Sequence, residues 1–277
     1  QGIRSQVNCG PGYRMIVHNR EADDVRMEPY RFVRERDVAG RGERFIAEGK
    51  VVLGCLSKSR DFQADSLLVL ESRLAGISAL LAGLSPQLPV YVARQDIIDK
   101  IAGFHVHRGI LATGIRTRRR TMTDLVLDCS QDALLVVLSG ISNHDNIGGI
   151  FRNAAAFGAG GVILDEQCCN PLYRKALRVS VGGVLTVPWA TGGSADAIAT
   201  ELSAAGFSLF ALSPSGANDI RSIPASGKRA IFLGSEGHGL SASIIHSLET
   251  FRIPMKGDFD SLNVSTTSGI ALMLATT

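Results

Sequence analysis

From residue 121 onward the chain alternates apolar runs with helical patterns at nearly every step, and this rhythm limits its fold more than any other feature. "ALLVVLSG" (133–140) is almost continuously apolar, as a strand covered on both faces must be. "GGIFRNAAAFG" reads as a helix closed at Gly158, and "GVILD" (161–165) as the next strand. "NPLYRKALRVS" predicts a helix with Asn170 at its N-cap and Pro171 at its first position. "VLTVPW" and "FSLFALS" read as strands on either side of the helix "SADAIATELSAAG". "RAIFLGSEGHGLS" is a strand running into a glycine-rich turn, followed by the helix "SASIIHSL". "FRIPM" is a last strand and "NVSTTSGIALMLA" a last helix. Alternation this regular predicts a parallel α/β sheet.

The front of the chain reads differently. Residues 1–28 show no clean period and are expected to form a poorly ordered arm. "RGERFIAEGKVVLGCLS" predicts a short helix around Phe45 to Lys50 and then an apolar run. Strands are expected at 65–72, 89–93 and 108–114, with helices over "SRLAGISALLAGL" and "RQDIIDKIAGF". Residues 29–115 thus form a small α/β domain. In "IRTRRRTMTD" the apolar pattern lapses at Arg116, Arg118, Arg119 and Arg120, so 116–122 is read as a basic linker before a second domain at 123–277. The same arginines suit contact with nucleic-acid phosphates.

Charge supports that contact. Residues 1–120 hold 20 Lys+Arg against 13 Asp+Glu, and residues 121–277 hold 9 against 13. A basic front and an acidic back suggest that the front meets a polyanion. The five cysteines form no CxxC pair, so neither a disulfide framework nor a zinc site is expected, and a reducing, cytoplasmic setting is. No apolar run reaches the roughly 18 residues needed to span a bilayer, and no signal peptide opens the chain, so no membrane partner is expected.

Ligands of open α/β sheets gather beyond the carboxyl ends of strands, and three such loops are polar or glycine-rich. In "SGISNHDNIGGIFRN", Asn146 can cap a helix, Gly148 and Gly149 allow close approach, and Arg152 lies on the face of one of these glycines. That arginine can serve structure at the sheet rim or reach a ligand. In "LGSEGHGLS" (233–241), glycines flank Glu236 and His238, and His238 can be a base or a solvated loop residue. In "IPMKGDFDSLNVSTTSG" (253–269), Ser261 and Asn263 stand before the last helix, able to cap it or to face an opening. GxGxxG and GxxxxGK[ST] are both lacking, which weighs against a nicotinamide-linked oxidoreductase and a P-loop enzyme.

The order and spacing of the three loops resemble the three motifs of the SpoU (TrmH) family of RNA ribose 2′-O-methyltransferases, in the SPOUT superfamily. "NIGGIFRNAAAFG", "FLGSEGHGLS" and "IPMKGDFDSLNVSTTSGIAL" carry the resemblance over 133–277. More loosely, "FIAEGKVVLGCL" and "HRGILATG" are similar to the family's N-terminal substrate-binding domain. The resemblance implies a parallel-sheet SPOUT domain threaded into a trefoil knot, S-adenosylmethionine as methyl donor, no metal, a homodimer, and tRNA or rRNA as partner. It implies cofactor binding by Leu233, Gly234, Glu236, Gly237, Ile253, Leu262 and Asn263. Catalytic roles fall to Arg152, as base or as the cation that aligns phosphate and ribose, with Asn146, Ser261 and Asn263 beside it. A guanidinium is almost never neutral, which favours alignment. The alternative is a non-catalytic RNA-binding protein that keeps the fold.

Overall fold

The computed structural model describes residues 3–8, 13–31, 44–257 and 261–276. These divide into two compact units, residues 1–118 with 172–186, and residues 119–171 with 187–277.

The first unit holds strands β1 (Ile3–Asn8), β2 (Tyr13–His18) and β3 (Arg44–Glu48), helix α1 (Lys50–Lys58), β4 (Phe62–Leu70), α2 (Ser78–Ala82), β5 (Val90–Ala93), α3 (Gln95–Ala102) and β6 (Ile110–Arg116). Its mixed sheet has the order β1-β2-β5-β4-β6-β3. One face of the sheet packs Val17, Ile46, Leu68 and Leu111 against Ile98, Ile101 and Val106. The buried Tyr30 hydroxyl meets Ser66 Oγ at 2.6 Å, which meets Thr113 Oγ1 at 2.7 Å, so the polar groups of this core satisfy one another.

Three expectations for this unit are corrected. The described residues of the expected arm at 1–28 are not loose: β1 pairs antiparallel with β2. Strand β2 pairs in parallel with β5, Ile16 and Val17 are buried, and Val25–Tyr30 forms a 3-10 turn that buries Met27 and Tyr30. A six-residue strand and a single turn are too brief to leave a periodic signal. Phe45–Lys50 is not a helix either: 44–48 is a strand and the following apolar run is the helix. The break falls at Gly49, whose φ of +90° is a conformation that side chains disfavour. "SRLAGISALLAGL" is not one helix but two 3-10 turns and the five-residue α2. Gly76 and Gly83 weaken helix propagation there.

The second unit contains α4 (Met122–Leu127), β7 (Leu134–Ser139), α5 (His144–Ala156) and β8 (Gly161–Leu164). The chain then supplies α6 (Arg174–Val179), which belongs to the first unit. There Arg174 Nη1 donates to Glu48 Oε2 at 2.6 Å and Ser59 Oγ donates to Leu185 O at 2.8 Å. The second unit resumes with β9 (Trp189–Thr191), α7 (Ala195–Ala204), β10 (Ser208–Leu212), β11 (Asn218–Asp219), β12 (Arg229–Gly234), α8 (Ala242–Ser247), β13 (Glu249–Arg252) and α9 (Val264–Thr276). Tyr173, not Asn170, is the N-cap of α6, and Pro171 precedes the helix. In "VLTVPW" Val184 and Leu185 end a 3-10 turn, and the strand begins only at Trp189.

The seven strands of the second unit run parallel in the order β11-β13-β10-β12-β7-β8-β9. Leu135, Val137, Ala230 and Phe232 face Ile198, Leu202 and Ile244 in the core. Gly234 pairs with Ser139 at the ends of β12 and β7, so the loops after these two strands leave the sheet side by side.

Candidate active site

A cavity of about 440 Å³ opens at the carboxyl ends of β10, β12 and β13, which are neighbours in the sheet. Leu233, Gly234, Glu236, Gly237, His238, Ile253, Ser261 and Leu262 line it. Leu212, Leu240 and Phe251 supply further apolar wall, while Ser213, Ser215 and Ser235 bring hydroxyls. Apolar walls with a few polar groups in this size range suit a ligand that is part aromatic and part charged.

The glycine-rich turn shapes one wall. Ser235 and Gly239 form a bridge, closing the turn tightly on β12. A Cβ on Gly234 would stand 2.2 Å from the carbonyl carbon of Gly239 and 2.3 Å from Leu240 N. Backbone cannot yield there without moving the whole turn. Gly234→Ala is therefore expected to weaken binding of a ligand in this cavity more than tenfold and to lower stability by about 1–3 kcal/mol. Calorimetric titration and thermal unfolding measure the two effects, and unchanged affinity would refute the assignment of that wall.

The three motif loops meet at one side chain. Asn263 Nδ2 donates to Asn146 Oδ1 at 2.9 Å and to Glu236 Oε1 at 2.6 Å. Its Oδ1 accepts from Ser265 N at 2.9 Å and Thr266 N at 3.3 Å, capping α9. Of the roles open to Asn263 in the sequence, the cap is filled, and its amide joins the motif loops to one another. Asn146 does not cap α5. Asn143 does, accepting from Asp145 N at 2.8 Å, and Asn146 lies buried in the first turn. Neither Asn146 nor Asn263 lines the cavity itself; they tie its rim together.

Helices α5 and α9 approach closely because Gly149 has no side chain: a Cβ there would stand 2.0 Å from Ser265 Oγ. Asn153 Nδ2 fastens the contact by donating to Ser265 O at 2.7 Å and Ser268 Oγ at 2.9 Å. Arg152 stands one residue away, exposed, and is not among the cavity residues. No hydrogen bond or ion pair joins its side chain to the described residues. Arg229 is its opposite. It is buried, donates to the carbonyls of Gly227, Pro224, Ala275 and Asp132, and burial pushes its guanidinium below the ordinary value. Arg229 therefore serves the fold, whereas Arg152 is available to a ligand.

The loop after β7 is clamped from behind. Buried Asp165 accepts from Ser139 Oγ at 2.8 Å, from Gly140 N at 3.0 Å and from Gln167 N at 3.0 Å. Cys168 Sγ accepts from Ile141 N and donates to Leu138 O, both at 3.3 Å. Burial and the Asp165 charge push this thiol up to about 12, so it stays protonated and acts as a hydrogen-bonding wedge. Sequence reasoning missed this clamp and the Leu212–Ser215 wall. The signal for the wall was the position of "FALSPSG" at the carboxyl end of a parallel strand. The clamp joins residues about 26 apart and leaves no local pattern.

The basic cluster separates into different environments. The Arg116 guanidinium lies 5.9 Å from the Phe62 ring centroid, and Nε donates to Arg118 O at 3.2 Å. Arg120 is only 9% exposed and pairs with Asp128, so its first duty is structural. Arg118 and Arg119 are exposed. Among the described residues no group of three or more His, Cys, Asp or Glu could hold a metal, and no helix is long and apolar enough to cross a membrane.

A parallel α/β sheet with a glycine-walled cavity at three strand ends, rimmed by a carboxylate and two carboxamides, defines a nucleotide-type ligand-binding protein. Residues 133–273 match the SpoU rRNA methylase family. The chain is 34% identical over 260 residues to an uncharacterized tRNA/rRNA methyltransferase of Mycobacterium bovis, covering 91% of this chain and 88% of the relative. A Mycobacterium tuberculosis protein described in the same words shows the same identity and coverage. An AdoMet-bound rRNA methyltransferase from Sinorhizobium meliloti superposes with a TM-score of 0.78 at 22% identity, over 94% of this chain and 97% of that one. The SpoU methyltransferase AviRb from Streptomyces viridochromogenes gives 0.78 at 20% identity, over 91% and 96%. The chain belongs to the SpoU family of RNA methyltransferases, with the SPOUT fold in its C-terminal part.

Proposed function

We propose that the protein transfers a methyl group from S-adenosylmethionine to a ribose 2′-hydroxyl of tRNA or rRNA. The observation that carries this reading is the single Asn263 amide joining Asn146, Glu236 and the start of α9 at the rim of a cavity of matching size. The cavity fits such a donor. Leu233, Leu240, Phe251 and Ile253 offer apolar cover for an adenine, while the Ser213–Ser215 turn and Gly237 offer polar and backbone groups. Bound there, S-adenosylmethionine would supply an electrophilic methyl group to the ribose oxygen, leaving as S-adenosylhomocysteine while the hydroxyl proton passes to solvent.

The chain's own residues must bring that oxygen into line. Arg152, exposed beside the α5–α9 contact, would grip a phosphate and align the ribose, using the fork geometry of a guanidinium. Asn146 and Asn263 would hold the loops in register, and Ser261 would face the ribose from the cavity edge. Residues 29–115 would bind RNA, with exposed Arg118 and Arg119 adding phosphate contacts and Arg120 contributing least. A homodimer formed through the open α5–α9 face, where Phe157, Ile270 and Met273 line a groove, belongs to the same reading. So do a trefoil knot at the C-terminal end and a cytoplasmic location, where these RNAs are met.

Tritiated S-adenosylmethionine incubated with bulk tRNA and with ribosomal RNA tests the proposal. Label should enter RNA and make the adjacent phosphodiester resistant to alkali, because a methylated 2′-oxygen cannot attack it. RNA binding without label in either RNA would favour the non-catalytic reading.

A further inference from the structure

One edge of the first unit gathers positive charge that the reading above leaves without a role. The turn between α3 and β6, "FHVHRG", carries Phe104, His105, His107 and Arg108. Arg108 lies across the break between β3 and α1: its Cδ would be 2.8 Å from a Cβ on Gly49, and its Nη1 reaches Glu48 O at 3.5 Å. Lys50 follows that break directly. On the other side, Arg73 packs its Cγ 3.0 Å from the Cβ position of Gly109. Lys50, Arg73 and Arg108 are all exposed. None of the three makes an ion pair among the described residues.

Two carboxylates of this edge, Glu48 and Asp99, are occupied from within. Glu48 is 7% exposed and bonded to Arg174, whose guanidinium also lies 4.7 Å from the Phe104 ring centroid. Asp99 accepts from Val106 N at 2.9 Å and Gln95 Nε2 at 2.7 Å, and stands 2.7 Å from His105 Nδ1. These contacts hold the Asp99 carboxyl below its usual range against the opposing effect of burial. Glu71, exposed at the same edge, acts on Arg94, which is itself paired with Asp96. With Glu48 and Asp99 held internally and Glu71 the one exposed acid beside them among the described residues, Lys50, Arg73 and Arg108 set the sign of the outward field.

We propose that Lys50, Arg73 and Arg108 form a phosphate-binding edge that anchors structured RNA on the first unit, separately from the Arg118–Arg119 segment. The inference rests on the RNA-methyltransferase reading and adds to it a place of contact. Two arginines and a lysine exposed together at the ends of β3, β4 and β6 suit the backbone of a folded RNA more than any one base, because phosphate contacts position without reading sequence. The edge therefore sets affinity, and nucleotide choice is left to the site at the cavity.

The test uses the full chain with Lys50, Arg73 and Arg108 changed together to Glu, beside Arg221→Glu as a charge change elsewhere. Binding to bulk tRNA and to ribosomal RNA is measured from about 50 to 200 mM salt. Calorimetric titration with S-adenosylmethionine reports whether the second unit is intact. The triple variant should bind RNA at least about tenfold more weakly, with a slope of log affinity against log salt shallower by about 2, while binding S-adenosylmethionine as before. Arg221→Glu should leave the slope unchanged. Equal affinity and slope in the triple variant would overturn the inference and leave the functional reading standing. If the triple variant fails to fold, single Ala changes at the three exposed positions take its place, each expected to flatten the slope by slightly under 1. Failure of the unchanged protein to bind either RNA would overturn the functional reading as well.

Discussion

Arg152→Ala should lower methyl transfer to RNA by about a hundredfold or more and leave S-adenosylmethionine affinity within about twofold. The two outcomes separate because Arg152 stands outside the cavity residues and faces solvent. Its removal breaks no hydrogen bond among the described residues, so stability should change by no more than about 0.5 kcal/mol. The size of the effect follows from what a guanidinium can do. A guanidinium is almost never neutral, so proton abstraction would demand a deeply shielded group, and Arg152 is exposed. Alignment of phosphate and ribose needs only charge and a planar fork. Arg152→Lys keeps the charge and loses the fork, so it should recover a minor part of the activity. Single-turnover transfer of tritium measures both variants. Near wild-type turnover in Arg152→Ala would remove this arginine from the mechanism. If the site is completed by a second copy, mixing Arg152→Ala with Gly234→Ala protein should restore activity that neither has alone, because one site in each mixed dimer would keep both residues.

The parts of this molecule that can be read in its sequence are those whose signals are local. The parallel sheet announces itself in runs such as "ALLVVLSG", because a strand covered on both faces must be apolar throughout. The cavity turn is visible as "GSEGHG", since few backbones need glycines so closely spaced. The helix stop at Gly103 is similarly legible, and its left-handed conformation matches. Misreadings arise where burial rather than periodicity decides. Val51 and Val52 favour strands by propensity, yet they lie in α1 because Val52, Leu53 and Leu56 cover the sheet. Asn146 reads in the sequence as a cap, and its bridge to Asn263 is not legible there because the partner lies 117 residues further on. Arg120 looks identical to its neighbours in "RTRRR", and only Asp128 sets it apart.

The second large effect is expected at Asn263, where one amide performs two jobs that different substitutions can separate. Asn263→Asp keeps an acceptor for Ser265 N and Thr266 N, so the cap on α9 survives, and Asp is as good a cap as Asn. It removes the donor that joins Asn146 and Glu236, and sets a second carboxylate where Nδ2 had met Glu236 Oε1 at 2.6 Å. Like charges at that distance repel, and the buried Asn146 oxygen loses its partner, so the turn at 235–239 should move away from the start of α9. Affinity for S-adenosylmethionine should fall at least tenfold, with little loss of helix stability. Asn263→Ser also keeps a cap but brings no charge and too short a side chain to bridge. It should show the loss of bridging without repulsion, and thus an intermediate affinity. Asn263→Ala loses both roles and should add about 1 kcal/mol of destabilisation from the missing cap. The ordering of affinities, wild type above Ser above Asp, is the discriminating result. Were Asp to bind as tightly as wild type while Ala did not, the cap alone would explain Asn263, and the junction of the three loops would have no part in holding the cofactor.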